Sequence, residues 1–289
     1  MKRYRLTRRE RWAAFCFLAP SLIGFAVFYI IPFGRSILYS FQDKLGGSAL
    51  TLANYAALFH SSSFQKAAAN TFRFTVSSVP VLVVLSLALA LSLNRRVFFR
   101  NWLRTAYVLP LVVPVASIVL VWQLLFDWNG ALNALLGHFG ISRTDWMKSD
   151  WAGIVIILIY VWKNVGYNVV LFLAGLQNIP EQYYEIADLE GAGSARKLFG
   201  ITLVYLTPTT FLVVLMSVLN SFKVFRETYL VAGDYPHDRI YTLQHYMNNM
   251  FLSLDIQKLS AASSLMAVCI LALVAVLFRA ERMFRNFME

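Results

Sequence analysis

The sequence predicts an all-α integral membrane protein with six transmembrane helices and both termini in the cytoplasm. Three observations predict it. First, 58% of the 289 residues are hydrophobic, above the roughly 45–50% of a soluble domain. Second, the excess gathers in runs of about 20 residues, the length that crosses roughly 30 Å of hydrocarbon. Third, lysines and arginines crowd alternate loops, as the positive-inside rule requires of cytoplasmic segments.

Residues 1–11 form a basic leader with Lys2, Arg3, Arg5, Arg8, Arg9 and Arg11. The apolar run behind it lacks an A-x-A-like cleavage site and is too long for a signal-peptide core, so it reads as a retained first span at 12–33. The others are expected near 74–93, 106–126, 152–176, 203–222 and 261–279. Prolines 20, 32, 80, 110, 114 and 208 punctuate them; membrane helices accept such breaks where neighbours satisfy the freed backbone groups. Arg95, Arg96, Arg100 and Arg104 mark the second connection as cytoplasmic, and Arg279, Arg282 and Arg285 do the same for the end of the chain. The 177–203 loop is then cytoplasmic, and the loops at 34–73, 127–151 and 223–260 face outside. The spans and loops of 12–279 make one membrane domain, followed by a tail at 280–289, and no repeat or inverted pair of broken spans stands out.

The net charge of +11 follows from this topology, so nucleic acid is not an expected partner; membrane lipid is. Cys16 and Cys269 lie within apolar runs and have no ligand spacing. His60, His138, His237 and His245 lie in outer segments without paired spacing, so no metal site is expected. There is no G-x-x-x-x-G-K-[ST]: Gly191 and Gly193 precede Arg196–Lys197 at the wrong spacing. The chain is therefore expected to hydrolyse no ATP and to be non-catalytic, with no cofactor of its own.

The segment NIPEQYYEIADLEGAG is polar and acidic between two apolar runs. Asn178 suits a helix N-cap, Pro180 the first turn, and Glu181 the positive end of the helix dipole. Gly191 supplies a left-handed stop, and Ser194 is placed to cap a second helix, SARKLFGITL. The expected product is helix, glycine corner, helix, with Tyr184, Ala187 and Leu189 apolar and Glu185, Asp188 and Glu190 charged. It suits docking into the groove of a soluble partner; the plainer reading is a solvated interhelical loop.

This stretch resembles the EAA loop of bacterial ABC-importer permeases, with Glu185, Ile186, Ala187, Gly191, Ile201, Thr202, Leu203 and Val204 in its pattern. Ile186 stands where that loop has Ala, and Val204 where it has Pro. In order along the chain, residues 18–41, NYAALF with NTFRF, 109–136 and 161–187 are similar to the carbohydrate permeases of the maltose-permease-like group. The resemblance implies a type I importer architecture in the bacterial cytoplasmic (inner) membrane. It implies a heterodimer with a second, homologous permease, two ATPase subunits or domains carrying the ATP and Mg, and an extracytoplasmic solute-binding protein. Tyr184, Glu185, Ile186, Ala187, Asp188, Gly191, Ala192 and Gly193 would form the coupling helix against the ATPase.

Polar residues inside spans point to a solute path. Lys163 is placed about a third of the way into span four, where snorkelling lowers a mid-bilayer cost of about 2.5–3.5 kcal/mol. Asn164 and Asn168 sit four apart on one helical face, with Tyr167 counted with them toward the path. Asn220, Lys223 and Glu227 have helical spacing at the end of span five, among Phe222, Phe225 and Tyr229. Amides and aromatic rings suit the hydroxyl edges and C–H faces of a sugar. Interhelical hydrogen bonding, ion pairing and an interfacial aromatic belt fit the same residues. The family often has a Gly-Gly-Pro turn next; here it is GDYP, Gly233 to Pro236. The expected function is thus the permease subunit of an ATP-driven sugar importer. Alternatives are an importer of glycerol phosphate or another polyol derivative, an ion-coupled secondary transporter, and a non-transporting scaffold or sensor.

Overall fold

The computed structural model describes residues 7–43, 50–94, 102, 106, 107, 109, 110 and 113–288; at Arg11 and residues 284–288 it describes the backbone alone. Lys2, Arg3 and Arg5 of the leader and Arg95, Arg96, Arg100 and Arg104 lie outside the described residues. Among those described, six helical segments are long and apolar enough to cross a membrane: Arg8–Ser40, Ser62–Asn94, Val115–Gly137, Ala152–Gln177, Thr207–Ala232 and Ile256–Met283. The fourth matches the sequence expectation closely. The second begins at Ser62 rather than near 74, because residues 62–73 carry Lys66, Asn70 and Arg73 and are invisible to a hydropathy window. The third differs: Pro114 caps a helix at Val115–Phe126, Asp127 ends it in an extended conformation, and Ala131–Gly137 follows as a separate helix.

The chain divides into two compact units. One holds Met1–Ser61 with Met250–Ala267. Its first helix, α1 (Arg8–Ser40), opens with a capping box: the Thr7 N–H donates to Glu10 Oε2 at 2.7 Å, and Thr7 Oγ1 accepts from the Glu10 N–H. A widened π turn at Ala26–Ile30 leads to Pro32, relieving the helix where a backbone donor is missing. At the far end, Asn54 of α2 (Ala53–His60) donates to the carbonyls of Ser40 and Gln42 at 3.0 and 2.8 Å. Helix ends leave such acceptors open, and the asparagine of NYAALF closes these two.

The other unit holds Ser62–Asn249 with Val268–Glu289. It contains α3 (Ser62–Asn94), α4 (Val115–Phe126), α5 (Ala131–Gly137) and α6 (Ala152–Gln177). After these come α7 (Gln182–Leu189), α8 (Ser194–Lys197), α9 (Thr207–Ser221) and α10 (Phe225–Ala232), and α11 (Leu243–Leu252) has its residues up to Asn249 here and the rest in the first unit. The last helix, α12 (Ile256–Met288), runs through residues of both units. Helix α6 is the central helix of its unit, with 56% of its most apolar stretch buried against 33% or less in the others. Ile159, Val169 and Phe172 of α6 join Leu82 of α3 and Val213 of α9 in the core.

Without a hydrophobic force between helices in lipid, close packing and polar contacts hold such a bundle. Both are present. Thr75 and Ser221 hydroxyls meet at 2.8 Å, joining α3 to α9. Tyr160 Oη donates to the Ser217 carbonyl at 2.5 Å, and Asn168 Nδ2 to Ser217 Oγ at 2.9 Å, joining α6 to α9. Gly175 lets α6 approach closely: a Cβ there would lie 2.6 Å from Thr209 Oγ1 and 2.8 Å from Leu206 Cδ2. Within α5, the buried Asn133 clamps the chain on both sides of the helix, donating to the Trp128 and Thr144 carbonyls and accepting from Thr144 N–H and Trp146 Nε1.

Candidate functional site

Two constellations arise within the larger unit. The first is a polar cavity of 370 Å³ lined by Tyr160, Lys163, Asn164, Asn220, Lys223, Val224, Phe225, Arg226, Glu227 and Gln244. Helix α6 supplies the first three. Lys163 sits close to the middle of α6, not a third of the way in, and its ammonium does not snorkel: it forms an ion pair with Glu227, whose residue is 4% exposed. Pairing with this carboxylate takes the place of the expected snorkelling. The pair joins α6 to α10.

Asn220, Lys223 and Glu227 do not share one helix. Helix α9 ends at Ser221, residues 222–224 turn, and α10 starts at Phe225. The turn buries Val224 and swings Glu227 inward toward Lys163. Asn164 Nδ2 donates to the Tyr160 carbonyl at 2.8 Å, and its Oδ1 receives a long contact from Asn220 Nδ2 at 3.5 Å. Asn168 and Tyr167 do not line the cavity: Asn168 is buried on Ser217, as the interhelical reading allows. The cavity brings together Lys163, Asn164, Asn220, Lys223 and Glu227 of the expected residues, and adds Tyr160, Arg226 and Gln244. Tyr160 sits three and four residues before Lys163 and Asn164, a spacing that puts all three near one helix face; nothing in the sequence marks Gln244.

Beneath Phe225 lies His245, fully buried, with ring centroids 4.8 Å apart in an edge contact. Its Nδ1 accepts from the Thr242 N–H at 3.3 Å and meets Thr242 Oγ1 at 2.9 Å. Burial pushes the imidazole down to about 4, with the Asp234 carboxylate opposing, so the ring is neutral near pH 7.

The second constellation is the corner at 182–202. Helix α7 starts after Pro180 with Glu181 at its N-cap and no side-chain capping bond. Asn178 instead closes α6 as its C-cap; Pro180 disfavours helical backbone just before it, so the older helix ends there. Gly191 takes φ +73°. The Ala192 N–H reaches back to the Ala187 carbonyl at 2.8 Å and the Gly191 N–H to Asp188 at 3.1 Å, the bond pair of a glycine C-terminal motif. Gly193, extended, is the N-cap of α8, and Ser194 makes no capping bond. The expected ten-residue second helix is four residues of α8 followed by a π turn at Leu198–Thr202.

Side chains lock this corner. Lys197 Nζ pairs with Asp188 Oδ1 at 2.5 Å, and Tyr184 Oη meets Thr202 Oγ1 at 2.9 Å. Tyr183 packs on Tyr205 with ring centroids 5.0 Å apart. Ala187 and Ala192 are half-buried, while Glu185, Asp188, Gly191 and Gly193 are exposed. Ile186 projects 54% exposed and Leu189 90%. Tyr184 and Asp188 thus serve the corner itself, and Ile186 and Leu189 stand out from it. Among the described residues no cluster of His, Cys, Asp and Glu is placed to hold a metal.

A family model described as "Binding-protein-dependent transport system inner membrane component" matches residues 83–288, which include the corner and every residue lining the cavity. The chain belongs to this family. The permease is 31% identical over 275 residues to the arabinooligosaccharides transport system permease protein AraP of Bacillus subtilis (strain 168), covering 93% of this chain and 88% of that one. It is 29% identical over 289 residues to the sn-glycerol-3-phosphate transport system permease protein UgpA of Salmonella choleraesuis (strain SC-B67), covering 96% and 97%. Its fold matches a chain in the crystal structure of a bacterial ABC transporter involved in the import of the acidic polysaccharide alginate. The TM-score is 0.84 at 21% identity, over 95% of this chain and 96% of that one. The resemblance read from the EAA-like loop and the ordered segments therefore holds, and the chain is a permease component of the binding-protein-dependent importers.

Proposed function

We propose that this permease forms half of the translocation path of an ATP-driven importer of a sugar or oligosaccharide in the bacterial cytoplasmic membrane. It pairs with a second homologous permease and receives solute from an extracytoplasmic binding protein. Both termini and the corner lie in the cytoplasm. There Ile186 and Leu189 of α7 insert into a separate ATPase subunit, which carries ATP and Mg. One observation supports this docking above others. The corner is braced internally by Asp188–Lys197, Tyr184–Thr202 and the Gly191 turn, yet its apolar residues point away from the chain. An interhelical loop with no partner has no reason to present a rigid apolar tip to water.

The cavity supports the solute path. It carries amides, a tyrosine and Phe225 beside a neutralised ion pair, the mixture of few polar groups and an aromatic wall seen in small-molecule sites. The similarity to UgpA keeps a glycerol phosphate or polyol derivative as the second reading.

The test is purification of the tagged chain from native membranes in mild detergent, with mass spectrometry of what accompanies it. Recovery of an ATPase, a second six-span permease and a binding protein is expected. An intact chain that purifies without an ATPase would sink the docking proposal.

A further inference from the structure

A second cavity, of 470 Å³, opens where α3 and α6 pass from polar to apolar sequence. All of its lining belongs to the larger unit. On α3 the change falls between Arg73 and Phe74; at the start of α6 it falls between Asp150 and Ala152. Phe74, Ile154 and Ile157 line the apolar part of the cavity, and Arg73 and Arg239 the polar part. Arg239 is tied through Nε to Asp150 Oδ1 at 2.7 Å. Among the described residues Arg73 pairs with no carboxylate, so the charged lining keeps an excess of positive charge. Arg73 is exposed on α3, beside the exposed Phe72 and Val76. An arginine among side chains that lipid covers, at the start of an apolar run, stands in the headgroup layer and not in bulk water.

Below the mouth the exposed surface continues apolar. Val81 and Val84 follow Ser77 at helical spacing on α3, and Leu158 follows Ile154 on α6, all three exposed. From Phe74 to Val84 is about 15 Å along the helix, half of the roughly 30 Å hydrocarbon core. A cation at the boundary, above an apolar track as deep as one leaflet, complements a lipid with a negative head. We infer that the cavity binds the headgroup of an anionic phospholipid, with its phosphate on Arg73 and an acyl chain along Val81 and Val84. The planar guanidinium takes phosphate oxygens in pairs. Gly153 lines the cavity in the first turn of α6, where N–H groups lack helical partners, and a Cβ there would meet nothing within 4 Å. The inner wall is shared with the cavity that holds Lys163. Val224 lines both, and Phe74 meets Tyr160 edge-on with ring centroids 5.3 Å apart. A bound headgroup therefore backs the 222–224 turn. In the orientation proposed above, the lipid belongs to the outer leaflet.

The test uses the whole transporter, with the partners that copurify, stripped of lipid in detergent. It is offered phosphatidylglycerol or phosphatidylcholine with the same acyl chains and weighed intact by native mass spectrometry. Phosphatidylglycerol is expected to stay bound under conditions that remove phosphatidylcholine, and excess inorganic phosphate is expected not to displace it. Arg73→Gln lowers that retention at least about tenfold, as loss of a charge-assisted hydrogen bond does, and Arg73→Lys keeps more of it because the charge remains. Gly153→Leu fills the open space and expels the lipid, while Gly153→Ala is too small to do so. A side chain at 153 starts in free space and leucine suits a helix better than glycine, so the loss does not come from a broken fold. ATP hydrolysis in phosphatidylglycerol vesicles is expected to change in Gly153→Leu and not in Gly153→Ala, since only the first removes what backs the turn.

Equal retention of the two lipids overturns the inference, and so does retention that Gly153→Leu leaves unchanged. Displacement by inorganic phosphate overturns it in favour of a soluble anion. A transporter that holds no lipid overturns it as well; loss of the second permease in Gly153→Leu would then show that a partner chain covers this face. ATP hydrolysis indifferent to Gly153→Leu overturns the backing of the turn. None of these results touches the sugar importer, which is tested by the subunits that copurify.

Discussion

The Lys163–Glu227 pair lends itself to a double-mutant cycle. Glu227 is 4% exposed, while the Lys163 side chain keeps 22% of its surface accessible through the cavity. Breaking a buried pair by removing one partner costs about 3–5 kcal/mol, because the other charge stays desolvated. Glu227→Gln strands a lysine that still reaches the cavity, so its cost falls at the lower end, about 3 kcal/mol. Lys163→Met strands the more deeply buried carboxylate, and about 3–4 kcal/mol is expected. The variant with both changes strands neither charge. It should be destabilised by less than the sum of the singles, with a coupling of about 2–4 kcal/mol. The assay is reversible unfolding of the purified chain by SDS in mixed micelles, read by tryptophan fluorescence. Trp162 adjoins Lys163 and packs edge-on against Trp122 at 5.5 Å, so the signal samples this region. A coupling below about 0.5 kcal/mol, the value of a solvated surface pair, would refute the claim that the two charges are buried against each other.

Three further outcomes are expected. Gly175→Ala puts a Cβ 2.6 Å from Thr209 Oγ1 and should cost about 1–3 kcal/mol; Thr209→Ala in the same chain should restore part, and no restoration in the same unfolding assay would mean the two helices do not meet there. Burial holds the His245 imidazole down at about 4, below its ordinary value of 6.5. The unfolded chain therefore takes up the proton first, and stability present above pH 6.5 is lost as pH falls toward 4, by about 3 kcal/mol in all. Unfolding midpoints measured across that window should slope for the native chain and flatten for His245→Gln; equal slopes would show that another group is responsible. At Gly191 a Cβ meets nothing within 4 Å, so the φ of +73° is the whole constraint. Gly191→Ala should cost about 1–2 kcal/mol of local strain and uncouple ATP hydrolysis from uptake in vesicles. Gly191→Asn should do so less, and equal coupling in all three proteins would dismiss the corner.

Much of this architecture was legible because it rests on local rules. The length of α6 follows from apolar composition, and the stop at Gly191 from the need for positive φ. What escaped was set by distant residues. The run NSFKVFRETYL has neither glycine nor proline and keeps helical spacing, so nothing local announces the turn at 222–224. That turn lets Val224 bury and brings Glu227 to a lysine far back in the sequence. Asn178 misled for another reason: asparagine serves at either end of a helix, and the following proline decides between the two. Ser194 failed as a cap because Gly193 already takes the extended conformation that the position needs. In the cavity, the sequence pointed to the charged and amide residues on α6 and near α10. Gln244 arrives from a separate segment that no spacing could connect to them.

The two constellations share their supports, and this bears on how a motor outside the membrane could reach a solute within it. Helix α6 carries Lys163 and Asn164 at the cavity and ends at Gln177, immediately before the corner. At 1.5 Å per residue these points are about 20 Å apart along one helix. The strand of chain leading into α9 receives the corner a second time, through Tyr184–Thr202 and Tyr183–Tyr205, and α9 leads to Asn220 at the cavity. Near the corner the two helices are pressed together at Gly175, with Leu206 and Thr209 filling the space a side chain would need. A packed contact of that kind resists sliding, so a push on the corner moves α6 and α9 together rather than past each other. Under the proposed docking, closure of the ATPase would carry Lys163, Asn164 and Asn220 as one block. Glu227, Lys223 and Arg226 lie beyond the turn that follows α9. The 222–224 turn is then where the block's motion changes the shape of the cavity, and the Lys163–Glu227 pair is the bond across it that must stretch or turn when the solute is released.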